Sequence, residues 1–241
     1  MIHESKPMGR RERTRLERLA EIRATSLQIL EREGLDALKI ARLAKEMNWA
    51  VGAIYRYFPS KEALLADLER EVISRFRASL SRSAEETEKA LQGRADAVAA
   101  LVHLKRCAGH YVGLARHRVE AFRLISLLMG DPRPHLSLDE GKEVMQTFVP
   151  LLRDVERLFL RAYKSGALRP GDSMRRTTLY WLSVHGVVQA GKLSRFDSEL
   201  FDLDRQLEEI TDALLRGWGA TDTLLHEAHI VQRHLPPEIW T

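Results

Sequence analysis

The 241-residue chain contains one cysteine, Cys107, which excludes a disulfide framework or a multi-cysteine zinc module within it. It has no run of roughly 18 uncharged apolar residues, which a membrane span needs, and no apolar stretch follows its charged N-terminal segment, as one would in a signal peptide. Phosphate-binding loops, dinucleotide fingerprints and nucleophile elbows are also missing. We therefore expect a cytoplasmic protein that is not an enzyme and needs no cofactor.

Alternating strand patterns are scarce as well, and the 14 Gly and 8 Pro punctuate segments with helical periodicity. The sequence therefore predicts an all-α fold. Apolar spacing and helix-end residues predict helices over residues 10–33, 40–47, 51–58, 61–80, 95–115, 117–129, 139–166, 173–194 and 202–217, with a short tail helix ending near 232. The polar segment 81–97, which contains Gly93, is predicted to be a surface connection or a helix break.

Positive charge is concentrated at the N-terminal end. Residues 1–61 hold 13 Lys and Arg against 8 Asp and Glu, a net charge of +5, whereas the whole chain has +4. The remaining residues are therefore close to neutral. This asymmetry is typical of a nucleic-acid-binding head on a regulatory body.

The segment 34–65, GLDALKIARLAKEMNWAVGAIYRYFPSKEALL, predicts two short helices joined by a tight turn at Asn48. A helix before them and another after Pro59 complete a helix-turn-helix unit. Arginine can bond bidentately to guanine, tyrosine can reach a phosphate, and small residues let the backbone approach a groove. Lys61 lies at a helix N-terminus, where phosphate is favoured. The candidate DNA-binding residues are Lys39, Ala50, Val51, Ala53, Tyr55, Arg56, Tyr57, Lys61 and Arg13.

Residues 15–66 resemble the DNA-binding domain of the TetR (tetracycline repressor) family of bacterial regulators. The resemblance rests on Gly34, Leu38, Leu43, Ala44, Gly52, Ile54, Tyr55, Tyr57, Phe58, Ser60, Lys61, Glu62, Leu64 and Leu65. It implies a three-helix DNA-binding domain at residues 1–62 and a helical effector-binding and dimerisation domain at 63–241. It also implies a cytoplasmic homodimer, associated with the nucleoid when bound to DNA, that represses a pseudo-palindromic operator until a small molecule releases it.

Four positions depart from the family pattern, of which Asn48 in place of a usual Gly is an acceptable change. Lys39 and Ala50 stand where the family usually has helix-capping Thr or Ser, so both caps are expected to be lost, at a cost of about 1 kcal/mol each. Trp49 replaces a smaller aliphatic residue and is expected to pack in the core or rest against the sugar-phosphate surface. The basic arm of Lys6, Arg10, Arg11, Arg13 and Arg15 could follow a phosphate strand, enter a minor groove or remain solvated.

In this family the last two major helices of each subunit form a four-helix dimer interface. The corresponding stripe here lies on the helices predicted over 173–194 and 202–217. The resemblance places these residues on it: Tyr180, Val184, Val187, Val188, Gly191, Leu207, Ile210, Leu214 and Trp218. The alternative is that this stripe belongs to the core of a single chain.

The resemblance also implies an effector cavity among the intervening helices. Candidate lining residues are His110, Tyr111, Phe122, Arg123, Met145, Phe148, Trp181 and His185. Their apolar character suggests a hydrophobic or amphipathic effector, for which an acyl-CoA is one hypothesis. The alternative for each aromatic or methionine is an ordinary core position.

Two further readings remain open. His103, Cys107 and His110 follow i, i+4, i+7 spacing, which could supply metal ligands, but a polar face without metal is the expected outcome. The same interpretation applies to His226, His229 and His234.

Two alternative functions remain. One is an enzyme that uses such metal ligands, and the other is a helical interaction protein whose DNA-binding face is vestigial.

Overall fold

The computed structural model describes residues 9–130 and 136–236, apart from the side chains of 127–130, and these residues form α-helices without strands, as predicted. Its α-helices are α1 (Arg10–Glu33), α2 (Ile40–Glu46), α3 (Val51–Tyr55), α4 (Lys61–Ala90), α5 (Asp96–His117), α6 (Val119–Gly130), α7 (Leu138–Lys164), α8 (Ser173–Ala190), α9 (Leu203–Gly217) and α10 (Asp222–Arg233). Short 3-10 turns cover Leu35–Ala37 and Gly191–Arg195.

The described residues divide into two compact units. The first comprises the residues up to Glu69 together with Arg123–Val144, and the second comprises Arg70–Phe122 together with the residues from Met145. The sequence reading placed a single boundary after residue 62. The first unit instead continues into α4 and includes a segment that lies far along the chain, which a linear reading does not anticipate.

The core of the first unit is built on the predicted apolar stripe of α1. Ile22, Ser26, Ile29 and Leu30 are all buried, as their 3–4 spacing requires of one helix face. Gly34 then ends α1 with a φ of 81°, a conformation that side chains rarely adopt. This reversal carries the chain into α2, whose apolar face closes the same core.

Ion pairs connect the helices of the first unit. Arg23 of α1 donates two hydrogen bonds to Asp67 of α4, with N–O distances of 2.6 and 2.8 Å. At the other end of α1, an ion-pair quartet joins Arg32 and Glu33 to Arg42 and Glu46 of α2. In the quartet, hydrogen bonds from the guanidinium groups lower the pKa of both glutamates.

Helix α4 corrects one prediction, because it continues to Ala90 rather than ending near residue 80. The polar segment keeps a narrow buried stripe of Leu80, Ser83, Thr87 and Leu91, and the Thr87 hydroxyl donates to the Ser83 carbonyl at 2.7 Å. The break comes later, at Gly93, which has a φ of 79°. Small polar side chains thus make up part of this buried helix face, so the sequence lacks the apolar periodicity that would have predicted it.

In the second unit, α5 is the most buried element, and α10 packs on it through Leu225, Ala228 and Val231. A charged cluster also joins these helices to α9. The ammonium of Lys105, itself only 4% exposed, pairs with Asp212, and the His229 ring lies 2.8 Å from Asp212. Burial would raise the pKa of Asp212, but the hydrogen bonds from Lys105 and His229 lower it overall.

Candidate nucleic-acid interface

Helices α2 and α3 form the predicted helix-turn-helix. Between them, Asn48 takes the left-handed conformation with a φ of 53°, as predicted, and the amide of Trp49 donates to the carbonyl of Ala44 at 2.9 Å. Helix α3 ends at Tyr55, earlier than the predicted residue 58, and the chain turns through 56 and 57 before Pro59. Only Ile54 of α3 is buried, so the other residues of this short helix are at least partly exposed to solvent.

The helix caps are as the sequence predicted. Lys39 and Ala50 occupy the N-cap positions of α2 and α3, and neither side chain makes a capping hydrogen bond. Ser60 does cap α4, accepting from the amide of Ala63 at 2.9 Å. The helix that would read DNA therefore begins without side-chain support, while the helix that follows it is well anchored.

Trp49 lies in a stack of side chains rather than fully in the core. It is half-buried, with the Arg18 guanidinium 4.6 Å from its ring centroid and the Tyr57 ring 6.3 Å away. The stack connects α1, the turn and the residues after α3. Sequence reasoning missed Arg18, because only the fold brings it beside a residue 31 positions later.

Most of the predicted DNA-binding residues lie at the surface. Val51 and Tyr55 are 41% and 48% exposed. Lys39, Ala50 and Arg56 are also exposed, whereas Ala53, Tyr57 and Lys61 are half-buried. Arg13 is exposed but belongs to α1. Of the basic residues predicted to contact DNA from the N-terminal arm, Arg10, Arg11, Arg13 and Arg15 lie on α1, in agreement with the helix predicted over residues 10–33. Lys6 lies outside the described residues, and contact of the arm with DNA stays a prediction.

The predicted effector residues of the second unit converge on one aromatic cluster. The Tyr111 ring lies 5.7 Å from Phe122 and 6.1 Å from His185, and Trp181 links His185 to Phe148. Phe76, which the sequence did not indicate, joins His110 to Tyr111. Of the remaining predicted residues, Met145 is exposed on α7, and Arg123 is exposed and belongs to the first unit.

A neutral polar pair lies inside this cluster. The hydroxyl of Tyr111 is 2.8 Å from Nδ1 of His185. Burial raises the pKa of Tyr111 and lowers the pKa of His185, so both groups are uncharged near neutral pH. His110 makes a similar contact with Ser79 at 3.0 Å. The cluster therefore combines aromatic surface with hydrogen-bonding groups, of which the Tyr111–His185 pair carries no charge.

The stripe predicted for dimerisation is split by the structure. Tyr180, Val184 and Val188 are 2%, 2% and 8% exposed in the single chain, so they have no surface to offer a partner. Their burial corrects that part of the expectation, because the outward face of α8 is displaced around the helix to Leu179, Leu182 and Gly186. The other predicted residues, Val187, Gly191, Leu207, Ile210, Leu214 and Trp218, are half-buried.

The histidines singled out in the sequence have separate partners. His103 contacts Glu88 at 2.7 Å, whereas His110 contacts Ser79. His234 contacts a backbone carbonyl of its own helix, and His226 is exposed. Three potential metal ligands do converge at Glu208, Asp212 and His229, but the Lys105 ammonium already pairs with Asp212 there. Within the described ranges, no helix combines the length and apolar character needed to cross a bilayer.

Comparisons with known proteins agree with this geometry. Residues 22–68 match the model of bacterial regulatory proteins of the tetR family. An uncharacterised HTH-type transcriptional regulator from Haemophilus influenzae is 43% identical over 61 residues, which cover 25% of this chain and 33% of that protein. The nucleoid occlusion factor SlmA of the same species is 40% identical over 73 residues, covering 28% and 34%. The matches thus span about a third of the length of these relatives.

Solved structures share the fold over most of the chain. RolR in complex with resorcinol has a TM-score of 0.62 at 18% identity, covering 94% of this chain and 99% of that one. The regulator FadR from Bacillus subtilis, in complex with stearoyl-CoA, has a TM-score of 0.55 at 18% identity, covering 83% and 98%. Residues 22–68 are thus matched by sequence to the tetR family of bacterial regulatory proteins, and the chain as a whole shares its fold with these solved structures.

Proposed function

We propose that the protein is a repressor that binds a pseudo-palindromic operator as a homodimer and is released by a small molecule. The observation that carries this proposal is the exposed surface of α3. Val51 and Tyr55 face outward on a helix held by a single buried residue, and the exposed Arg56 follows directly at its C-cap. The surrounding head has a net charge of +5 over residues 1–61. Such a surface fits a major groove, where Arg56 would contact a base edge and Tyr55 and Lys61 would contact phosphates.

The test is selection of bound duplexes from a random-sequence pool with the full-length protein. We expect enrichment of an inverted repeat whose half-sites lie roughly 34–36 Å apart, or a multiple of that spacing, because two heads of a symmetric dimer read successive turns of the major groove. Enrichment of an asymmetric site would contradict the dimeric operator. Failure to enrich any sequence would contradict the proposed function.

Arg56 and Lys61 are expected to contribute differently to operator binding. Arg56→Ala should cost about 1–3 kcal/mol on the selected operator and relax the preference at one base pair, since a base contact is lost. Lys61→Ala should weaken binding to all sequences and reduce the slope of log K against log salt by about one, since a phosphate contact is lost. Titration of both variants against operator and scrambled duplex at several salt concentrations measures this. Wild-type binding by both variants would show that the face is wrongly assigned.

For the dimer, we propose that the exposed face of α8 and the adjoining face of α9 meet the same surfaces of a second copy. Leu179 and Leu182 are 46% and 42% exposed, which is unusual for leucines on neighbouring turns of a helix. Leu207, Ile210 and Leu214 of α9, from the predicted set, are half-buried. Pairing two such faces would bury this apolar surface and place two heads on one operator.

For the effector, we propose a hydrophobic or amphipathic molecule bound at the aromatic cluster around Tyr111 and His185. The uncharged Tyr111–His185 pair favours a ligand whose polar groups are hydroxyls. Resorcinol bound to RolR and stearoyl-CoA bound to FadR are examples of ligands in proteins of this fold.

Ligand release can be measured on the selected operator complex. Phenols and acyl-CoAs are titrated into the complex, and one class is expected to dissociate it in the wild-type protein. In His185→Phe, which keeps an aromatic ring but removes the polar partner of Tyr111, that release should weaken at least tenfold. The control is Tyr163→Phe, which removes an exposed hydroxyl on α7, outside both the cluster and the proposed dimer face. Equal release from His185→Phe and wild type would exclude the Tyr111–His185 pair from the effector site.

A further inference from the structure

The first residues of α1 form an exposed basic helix, which we call the α1 extension (residues 10–18). Every residue in it is exposed, whereas Leu19 is half-buried and Ile22 is the first fully buried residue of α1. Five of its nine residues are arginine and two are glutamate, a net charge of +3. The α1 extension therefore gains little from packing within its own chain, and its charge remains available to solvent or a partner.

The charge pattern of the α1 extension is poor for helix stability. The N-terminal end of a helix carries a partial positive charge, so arginines in the first turns are disfavoured and acidic residues are preferred. Here three arginines, Arg10, Arg11 and Arg13, share the first turn with a single acid, Glu12, and Arg11 and Arg15 are like charges at i, i+4, which repel. These arginines destabilise the helix, so their arrangement is better suited to contact with a polyanion than to helix stability.

The position of the α1 extension is fixed by the Arg18–Trp49 stack, with the guanidinium carbon 4.6 Å from the ring centroid. Trp49 immediately precedes Ala50, the N-cap residue of α3. Arg11 and Arg15 lie seven and three residues before Arg18, so the three share one face of the helix. This arginine stripe (Arg11, Arg15 and Arg18) therefore runs along α1 on the side that faces Trp49, while Arg10 and Arg13 point elsewhere.

We propose that the arginine stripe binds successive backbone phosphates of the DNA duplex beside the base pairs read by α3, an inference that rests on the proposed DNA binding. An α-helix with side chains is about 10–12 Å across and the minor groove is about 6 Å wide, so a helical extension cannot enter that groove as an extended arm would. The stripe spans about 10 Å at 1.5 Å per residue. Measured along the duplex axis, that length corresponds to about three nucleotide steps of one strand at 3.4 Å each.

The test compares two double variants of equal charge. Arg11→Gln with Arg15→Gln removes two groups of the stripe, and Arg10→Gln with Arg13→Gln removes two from the rest of the α1 extension. Affinity for the selected operator is measured from 0.05 to 0.3 M salt. For the stripe variant, we expect the slope of log K against log salt to fall by about 1.8, with about 30-fold weaker binding at 0.15 M salt and unchanged base preference. The control variant should lose less than half of that slope.

Thermal unfolding separates this effect from misfolding. Removing N-terminal positive charge relieves the unfavourable interaction with the helix dipole, so both variants should melt at or above the wild-type temperature. A stripe variant with the wild-type salt slope overturns the inference, as does a control variant that loses as much slope as the stripe variant. Wild-type protein that enriches no duplex overturns the proposed function and this inference together, whereas either of the former results leaves the proposed function standing.

Discussion

Replacement of Asp67 by alanine is expected to lower the stability of the first unit by about 3 kcal/mol, the largest loss we predict for a single substitution. The Asp67 side chain is 6% exposed and that of Arg23 is 32% exposed. Their two hydrogen bonds, at 2.6 and 2.8 Å, join α1 to α4. Removing the carboxylate deprives the half-buried Arg23 guanidinium of both of these charge-assisted hydrogen bonds.

A loss of that size corresponds to a fall in melting temperature of about 8 °C for a chain of this length, measurable by circular dichroism. The matched control is Glu21→Ala on α1, which removes an exposed ion pair with Arg18 and should change stability by less than about 0.5 kcal/mol. Joint replacement by Arg23→Met and Asp67→Leu should recover most of the loss, because apolar residues need no counter-ion. An Asp67→Ala protein within about 1 kcal/mol of wild type would contradict the role given to this pair.

Glu69 lies two residues after Asp67 on α4, and in contrast to Asp67 its charged form destabilises the fold. It is 1% exposed, and among the described residues neither of its carboxyl oxygens has a hydrogen-bonding partner. Burial raises the pKa of Glu69 to about 8 from an ordinary value of 4.5. The carboxyl is therefore protonated in the folded protein at neutral pH, whereas it is ionised in the unfolded chain.

The sign of the pH dependence follows from linkage. Below pH 4.5 Glu69 is mainly protonated in both states, so its ionisation does not change stability there. As the pH rises from there towards 8, only the unfolded chain releases the proton, so stability falls until the folded state also ionises. We expect Glu69→Gln to be more stable than wild type by an amount that grows with pH and reaches about 3 kcal/mol at pH 7.

Chemical denaturation of wild type and Glu69→Gln at intervals from pH 5 to 9 measures this growing difference. Glu62→Gln is the control on the same helix, because Glu62 is exposed to water in the folded state. Its stability curve should run parallel to that of wild type. Curves for Glu69→Gln and wild type that stay parallel over the whole range would show that Glu69 does not hold a proton in the folded protein.

Local patterns in the sequence predicted the helix-turn-helix well. The stripe of Ile22, Ser26, Ile29 and Leu30, the reversal at Asn48 and the cap at Ser60 each depend on residues within a few positions of one another. Short-range periodicity and backbone preference decide such features, so they can be recognised without the fold. The resemblance to a known family added the prediction that the exposed face of α3 contacts DNA, which periodicity alone does not supply.

Features that depend on long-range contact were not predictable. Arg23 and Asp67 are 44 residues apart, and either could have been a solvated surface charge. Glu69 lies beside Leu68 in a sequence that gives no sign of its burial. The prediction of the dimer stripe was wrong in part for a related reason. The apolar residues of α8 occur on two faces, and periodicity does not say which face packs in the core of the same chain. Tyr180 and Val184 face inward, while Leu179 and Leu182 face outward.

The ion-pair quartet at the C-terminal end of α1 has a consequence for the rate at which the head finds DNA. Its two arginines and two glutamates cancel, so that end of the helix contributes little field. The α1 extension at the other end keeps its charge of +3, and Arg18 and Arg32 are separated by about 21 Å along the helix. The head is thus an electrostatic dipole, which a polyanion would orient during diffusion before any contact forms, favouring fast and correctly directed association.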